Sequence, residues 1–293
     1  MRILVVGSGS FTARYLIPRL EAAGDKVQGI DRVPDANRAA TLDATAISAA
    51  IRGFEPQAIY HLAGSFSNEY DQDYQANVIL AKQVLDAVRT ESPVSRVLLL
   101  GSAAEYGAVG PGENPVAETH PLRPVSIYGL TKVFQTHLMQ LYHALYGLDV
   151  VLARPFNLLG RGLSERLFVG RVYGQITELK AGKIRKILVG NLQSRRDYLP
   201  IEQAVGHYRT IMARGVAGEV YNVGAGVSVG LEDLLKEILQ SEGLTMADVE
   251  RQARPTPHQH DVADIYADIT KLRALDQPRG NGESPKSTQS PSQ

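Results

Sequence analysis

MRILVVGSGSF, residues 1–11, is a short apolar run that stops on Gly7, Ser8, Gly9, Ser10 and Phe11. The run is about one strand long and carries no alternating polar residues, as expected of a strand buried on both faces of a sheet. Residues 13–23 follow with helical character. The order is therefore strand, small-residue turn, helix. Such a turn lets backbone amides approach a pyrophosphate, and the helix N-terminus adds partial positive charge. Gly7, Gly9, Ser10 and Phe11 become candidates for holding a dinucleotide. A glycine-rich turn by itself is also an ordinary tight turn, so the flanking sequence has to decide.

The next apolar run, VQGI, ends on Asp31. This places an acid about 20 residues beyond the glycines, where it accepts the ribose hydroxyls. Asp43 follows, read as closing a third strand within reach of the adenine. Asp31 favours NAD, because a carboxylate repels a 2′-phosphate. Arg32 beside it offsets part of that repulsion, so NAD and NADP both stay open.

Further along, AIYHLAG, RVLLLG and VVLARP repeat the apolar run, separated by helical stretches at 74–89 and 127–146. Buried strands alternating with helices predict an α/β fold with a doubly wound parallel sheet. We assign residues 1–154 to it, with returning segments near 199–225 and 262–272. After Arg154 the alternation loosens into helices at 165–180 and 202–214, strands in KILVGN and GEVYNVGAG, and a helix in LEDLLKEILQ. Residues 155–198 and 226–261 are expected to form a smaller lobe. The tail, 277–293, is rich in Pro, Gly and Ser and is expected to be disordered.

Bulk composition narrows the function. Of 293 residues, 44% are hydrophobic, enough for a real core. Lys plus Arg and Asp plus Glu are 31 each, so no global field draws the chain to nucleic acid or an anionic membrane. With no cysteine, disulfides, thiolate catalysis and cysteine-bound metals are excluded, which fits a cytoplasmic enzyme. No run approaches the ~20 apolar residues of a membrane span.

The chemistry sits in YGLTK. Tyr128 and Lys132 are one helical turn apart and share a face. A nearby ammonium favours phenolate and tunes Tyr128 toward general acid/base work. Ser102 follows the RVLLLG strand, at the C-terminal sheet edge where ligands bind in open parallel sheets. A core tyrosine beside a surface lysine is the plainer alternative for the pair.

Taken together, GSGSF, HLAG at His61–Gly64, Asn77, GSAAEYG, PLRPVSIYGLTK, RPFN, RRDY and YNVG resemble the extended short-chain dehydrogenase/reductases, over nearly the whole ordered chain. The resemblance implies a Rossmann-type domain binding NAD(P), with Leu62 and Ala63 beside the cofactor, and a C-terminal lobe binding a nucleoside diphosphate sugar. It implies Ser102, Tyr128 and Lys132 as the catalytic set, and a homodimer through the helices at 74–89 and 127–146. Asn157 and Arg196 become candidates for the substrate's diphosphate, a role that suits a guanidinium. A surface ion pair with Asp197 is the alternative for Arg196. Two departures stand out. Aligned on Gly7, the family's next two turn glycines are Ser10 and Ala13. Before Asp261, His258 occupies the place where related reductases carry a substrate-binding arginine.

The loop after Ser102 separates the family's reactions. The 4,6-dehydratases resemble S-T-S-E or T-D-E here, with an acidic base. This chain has Ala104, which takes no proton, and Glu105, which would point elsewhere in an extended segment. Among the rest, GSAAEYG, RPFN and VGNLQSRRDY look most like the reductases that convert GDP-4-keto-6-deoxymannose to GDP-rhamnose. A nucleotide-sugar 4-epimerase with bound NAD uses the same three groups. A non-catalytic NAD(P)-binding regulator is the third reading.

Overall fold

In the computed structural model, which describes residues 1–31, 42–110, 112–252 and 264–276, the opening motif becomes β1 (Arg2–Val6). Ile3 and Val5 enter one buried cluster, Leu4 and Val6 another. The strand is apolar at consecutive positions because both its faces are covered. Ser10 then caps α1 (Phe11–Ala22), accepting from the Ala13 N–H at 3.2 Å.

The chain continues through β2 (Lys26–Ile30), α2 (Ala44–Phe54), β3 (Ala58–His61), α3 (Tyr70–Tyr74), α4 (Leu80–Glu91), β4 (Arg96–Leu100), α5 (Ile127–Tyr146) and β5 (Val150–Pro155). The third strand read ahead of Asp43 falls mostly outside the described residues, and Asp43 itself is not in a strand. Its carboxylate accepts the Ala46 N–H at 2.8 Å and caps α2, the usual task of an aspartate ahead of a helix-forming run. The helix expected over 74–89 is longer. Helical backbone runs from Tyr70 to Glu91, with a π-helical segment over Gln75–Ile79 between α3 and α4. The bounds of α5 match the sequence reading, because Ser126 caps its start and Gly147, at φ +66°, ends it.

The second half supplies β6 (Asn157–Leu159), α6 (Phe168–Lys180), β7 (Ile187–Val189), β8 (Arg195–Arg196), β9 (Tyr198–Pro200), α7 (Ile201–Arg214), β10 (Val220–Val223), β11 (Val229–Gly230), α8 (Leu231–Ser241), β12 (Val249–Arg251), β13 (Asp264–Ile265) and α9 (Thr270–Ala274). The large sheet is wholly parallel, ordered β10-β5-β4-β3-β1-β2. One buried cluster joins it to α1 and α7, and another joins its opposite face to α2, α4 and α5. This is the doubly wound α/β architecture that the apolar runs predict. Strand order reverses between β1 and β3, which opens the crevice where such sheets bind ligands. A separate core unites α6, β7, α8 and Tyr198.

Candidate active site

The turn after β1 lies in that crevice. Gly7 adopts φ +88°, and a Cβ there would stand 2.5 Å from the Ala63 amide nitrogen. Glycine is thus required both for the backbone conformation and for the approach to the strand beyond. Leu62 and Ala63 each donate an N–H to Val6 O, at 2.8 and 3.1 Å. The Gly9 N–H donates to Asp31 Oδ2 at 2.5 Å. The acid at the end of β2 therefore already holds the turn. Gly7, Gly9, Ser10, Phe11, Asp31, Leu62 and Ala63 are brought together. Asp43 caps α2, and Arg32 lies outside the described residues, as does His258.

A narrow backbone cradle at a helix N-terminus, backed by a carboxylate, fits the pyrophosphate and ribose of a dinucleotide. Ser10 does not spoil the cradle, since its side chain is turned into the cap of α1.

The loop after β4 is not extended. Residues Ala103–Glu105 form a 3₁₀ turn capped by Ser102, whose Oγ accepts the Ala104 N–H at 3.2 Å. The turn, not an extended strand geometry, decides where Glu105 goes. Its side chain is fully buried and pairs with Arg154 Nη2 at 2.7 Å. The carboxylate is consumed there, and the Ala104 methyl offers no base. The conclusion that no acid follows Ser102 into the site stands on this different ground.

Ser102, Tyr128 and Asn157 line a cavity of about 620 Å³ together with Phe66, Leu167 and Arg196. The volume suits a small-molecule ligand. Burial pushes the Tyr128 phenol up to about 12, while the adjacent Ser102 hydroxyl draws it down. Burial also lowers Lys132 to about 8, against the opposing charges of Glu105 and Asp73. The ammonium donates to Leu100 O and Gln135 Oε1, both at 2.8 Å, and lies 6.0 Å from the Tyr128 ring centre. The downward tuning of the phenol read from the YGLTK spacing is therefore absent here. The lysine's hydrogen bonds are spent elsewhere, and desolvation dominates.

Asn157 donates its side-chain amide to Asp197 O at 3.1 Å. Arg196 donates from Nη1 to Arg195 O at 2.7 Å and faces the cavity. Asp197 offers it no surface carboxylate. It is fully buried, and it accepts from the backbone N–H groups of Ala225, Gly226 and Ala267.

Several contributors had been given no role by the sequence, Asn77 among them although it belongs to the family pattern. Phe66 meets the Tyr128 ring edge-on at 6.2 Å. Asn68, at φ +61°, accepts the Tyr128 N–H at 3.3 Å, and Asp73 fixes that loop by accepting from Ser67 and Asn68. Asn77, inside the π-helical segment, grips both backbone groups of Ser65 and donates to Thr131 on α5. π-Helical segments often mark functional ground, but no spacing rule reveals one. Arg154 did leave a signal: a charge inside the apolar run VVLARP must find a partner.

A glycine turn at a helix N-terminus, a hydroxyl and a Tyr–Lys pair around one crevice are the groups that an NAD(P)-dependent enzyme of the oxidoreductase type presents. The chain belongs to the NAD dependent epimerase/dehydratase family, whose model matches residues 3–224. It is 26% identical over 205 residues to a GDP-6-deoxy-D-mannose reductase of Pseudomonas aeruginosa, covering 68% of this chain and 67% of that protein. It is 28% identical over 263 residues to a UDP-glucose 4-epimerase of Mycolicibacterium smegmatis, covering 83% of each. A structure of RMD from Pseudomonas aeruginosa complexed with NADPH superposes with TM-score 0.81 at 22% identity, over 94% of this chain and 91% of that one. No helix among the described residues is long and apolar enough to cross a membrane.

Proposed function

We propose that this chain is an NAD(P)H-dependent reductase of a 4-keto-6-deoxy nucleoside diphosphate sugar, converting GDP-4-keto-6-deoxymannose to GDP-rhamnose. The observation that carries the reading is the fate of Glu105. Dehydration needs a base to remove a proton beside the ketone, and the acid nearest Ser102 is locked onto Arg154. The remaining groups suit carbonyl reduction.

In this reading residues 1–154, with the returning segments near 199–225 and 262–272, carry the dinucleotide. Residues 155–198 and 226–261 carry the sugar nucleotide. The bound nicotinamide supplies a hydride to the carbonyl carbon. Ser102 donates a hydrogen bond to the carbonyl oxygen; its Oγ is already oriented by the Ala104 N–H. Charge develops on that oxygen in the transition state, so the contact strengthens there. Tyr128 gives its proton to the same oxygen, leaving an alcohol and a phenolate. Lys132 turns from Leu100 and Gln135 to stabilise the phenolate and to hold the nicotinamide ribose. Asn157 and Arg196 hold the diphosphate, with His258 as a further candidate.

The test is cofactor consumption. Supplied with the GDP-4-keto-6-deoxy sugar, the enzyme should oxidise NADH or NADPH in proportion to alcohol formed, and it should leave GDP-mannose intact. Isomerisation of UDP-glucose without added cofactor would transfer the assignment to a 4-epimerase, the activity of the second relative. Binding of NAD(P)H with no turnover of either would leave a regulator.

We also propose a homodimer. On α5, Leu141, Leu145 and Tyr146 are 51%, 62% and 48% exposed, with Tyr70 of α3 at 48%. An apolar surface of this kind calls for a partner. Sedimentation at micromolar concentration should give a dimer, and Leu141→Glu with Leu145→Glu a monomer.

A further inference from the structure

Glu105 and Arg154 form a charge pair that none of the steps above uses. Their exposures are 0% and 1%. Burying two ions incurs a desolvation cost that even good pairing only offsets, so such a pair is weak evidence of a stability role.

Its connections point elsewhere. Glu105 Oε1 accepts the Ser102 N–H at 2.8 Å. Oε2 accepts the Thr136 hydroxyl and Arg154 Nη2, both at 2.7 Å. Those partners lie on the Ser102 loop, on α5 and on β5. Arg154 Nη1 donates in turn to the Tyr106 hydroxyl at 2.9 Å, which donates to Asn222 Oδ1 at 2.6 Å on β10. Two glycines make the approach possible. A Cβ on Gly101 would stand 2.5 Å from Glu105 Oε1, and one on Gly129 would stand 2.5 Å from Ala104 O. Gly129 is the residue after Tyr128, so loop and helix touch beside the reacting phenol.

We propose that Glu105, paired with Arg154, is a positioning residue that locks the Ser102 loop, α5 and β5 in one register and so sets the separation between Ser102 and Tyr128. The inference rests on Ser102, Tyr128 and Lys132 being the reacting set. A carboxylate is the right group, because it accepts at both oxygens and donates nothing, and all its partners here are donors. An amide would turn a donor toward one of them. Thr136 is one turn beyond Lys132 and two beyond Tyr128, so its tie to Glu105 fixes both.

The test separates register from stability. Removing one charge strands the other, and those single variants are expected to fold poorly. The double variant Glu105→Met with Arg154→Met removes both. It should melt near wild type yet lose ~100-fold in kcat, the scale of an ångström of misplacement, with KM and NADH affinity unchanged. Thr136→Val cuts a single tie and should fold normally, with a smaller fall in kcat and none in affinity. Amide exchange gives a readout without substrate: segments 100–106 and 127–136 should exchange faster in both variants, while α1 keeps wild-type protection. Wild-type kcat and exchange in either folded variant would reduce the pair to a structural one and overturn the proposal. If wild-type enzyme turns over no keto sugar, the reductase reading falls, and the exchange comparison still decides the register.

Discussion

Replacing Lys132 by methionine should move stability and activity in ways that a surface lysine would not. The side chain is 4% exposed, and burial brings its pKa from 10.5 to about 8. In the unfolded chain it keeps its proton to the higher value. Between the two values the unfolded chain binds more protons, so the wild type gains stability as pH rises through that window. Below it both states are protonated, and the folded chain carries the whole cost of a buried ammonium. The gap, 10.5 minus about 8, is ~2.5 units, or ~3 kcal/mol at 1.36 kcal/mol each. Most of the window is crossed between pH 7.5 and 9.5. The stability difference between wild type and Lys132→Met, from urea melts at those two pH values, should therefore shift by ~2 kcal/mol in favour of wild type at the higher pH. Turnover of the variant should fall by ~100-fold or more, because the phenolate loses its counter-charge. Parallel urea curves at the two pH values would refute the buried, perturbed lysine, and retained turnover would remove it from the reaction.

Tyr128→Phe should cut kcat by ~100-fold or more with KM little changed, followed by cofactor absorbance; wild-type kcat would exclude it as the proton donor. Asp31→Ser removes the acceptor of the Gly9 N–H and a ribose partner, so NADH should bind ~10-fold more weakly by calorimetry, with NADPH affected less; equal loss for both would argue against a ribose contact. Asp197→Asn leaves at least one of three backbone N–H groups facing an amide donor, for ~1–3 kcal/mol of lost stability by chemical denaturation; a neutral result would show that those amides find water.

The candidate site was legible to different depths along the chain. The turn after β1 and the place of Asp31 at the end of β2 were readable because local backbone geometry writes them: a strand end, small residues, a helix start. Asp43 shows the limit. An aspartate between an apolar stretch and a helix former suits a cap as well as a ligand role, and the hydrogen bond from the Ala46 N–H shows the cap. The Tyr128–Lys132 spacing correctly placed both on α5, but the same spacing was silent about Leu100 and Gln135, which hold the ammonium. Burial then reversed the expected tuning of the phenol. For Glu105 the extended segment expected from the sequence is absent, and a 3₁₀ turn and a buried arginine hold the side chain out of the cavity instead.

By itself the sequence determined the alternation of buried strands and helices, hence the doubly wound sheet, and the identity of the hydroxyl, phenol and ammonium at its C-terminal edge. These follow from short-range rules: apolar runs, helical period, capping and turn chemistry. The tertiary structure alone decided the strand order that opens the crevice, the loop from Phe66 to Asn68 over Tyr128, and the network joining Ser102, Thr136, Arg154 and Asn222. Apart from the Ser102–Glu105 contact within the turn, the links of that network join residues 31 to 116 positions apart. Charge and desolvation act on what lies nearby in space, so the pKa values of Tyr128 and Lys132 are fixed only when distant strands close around them.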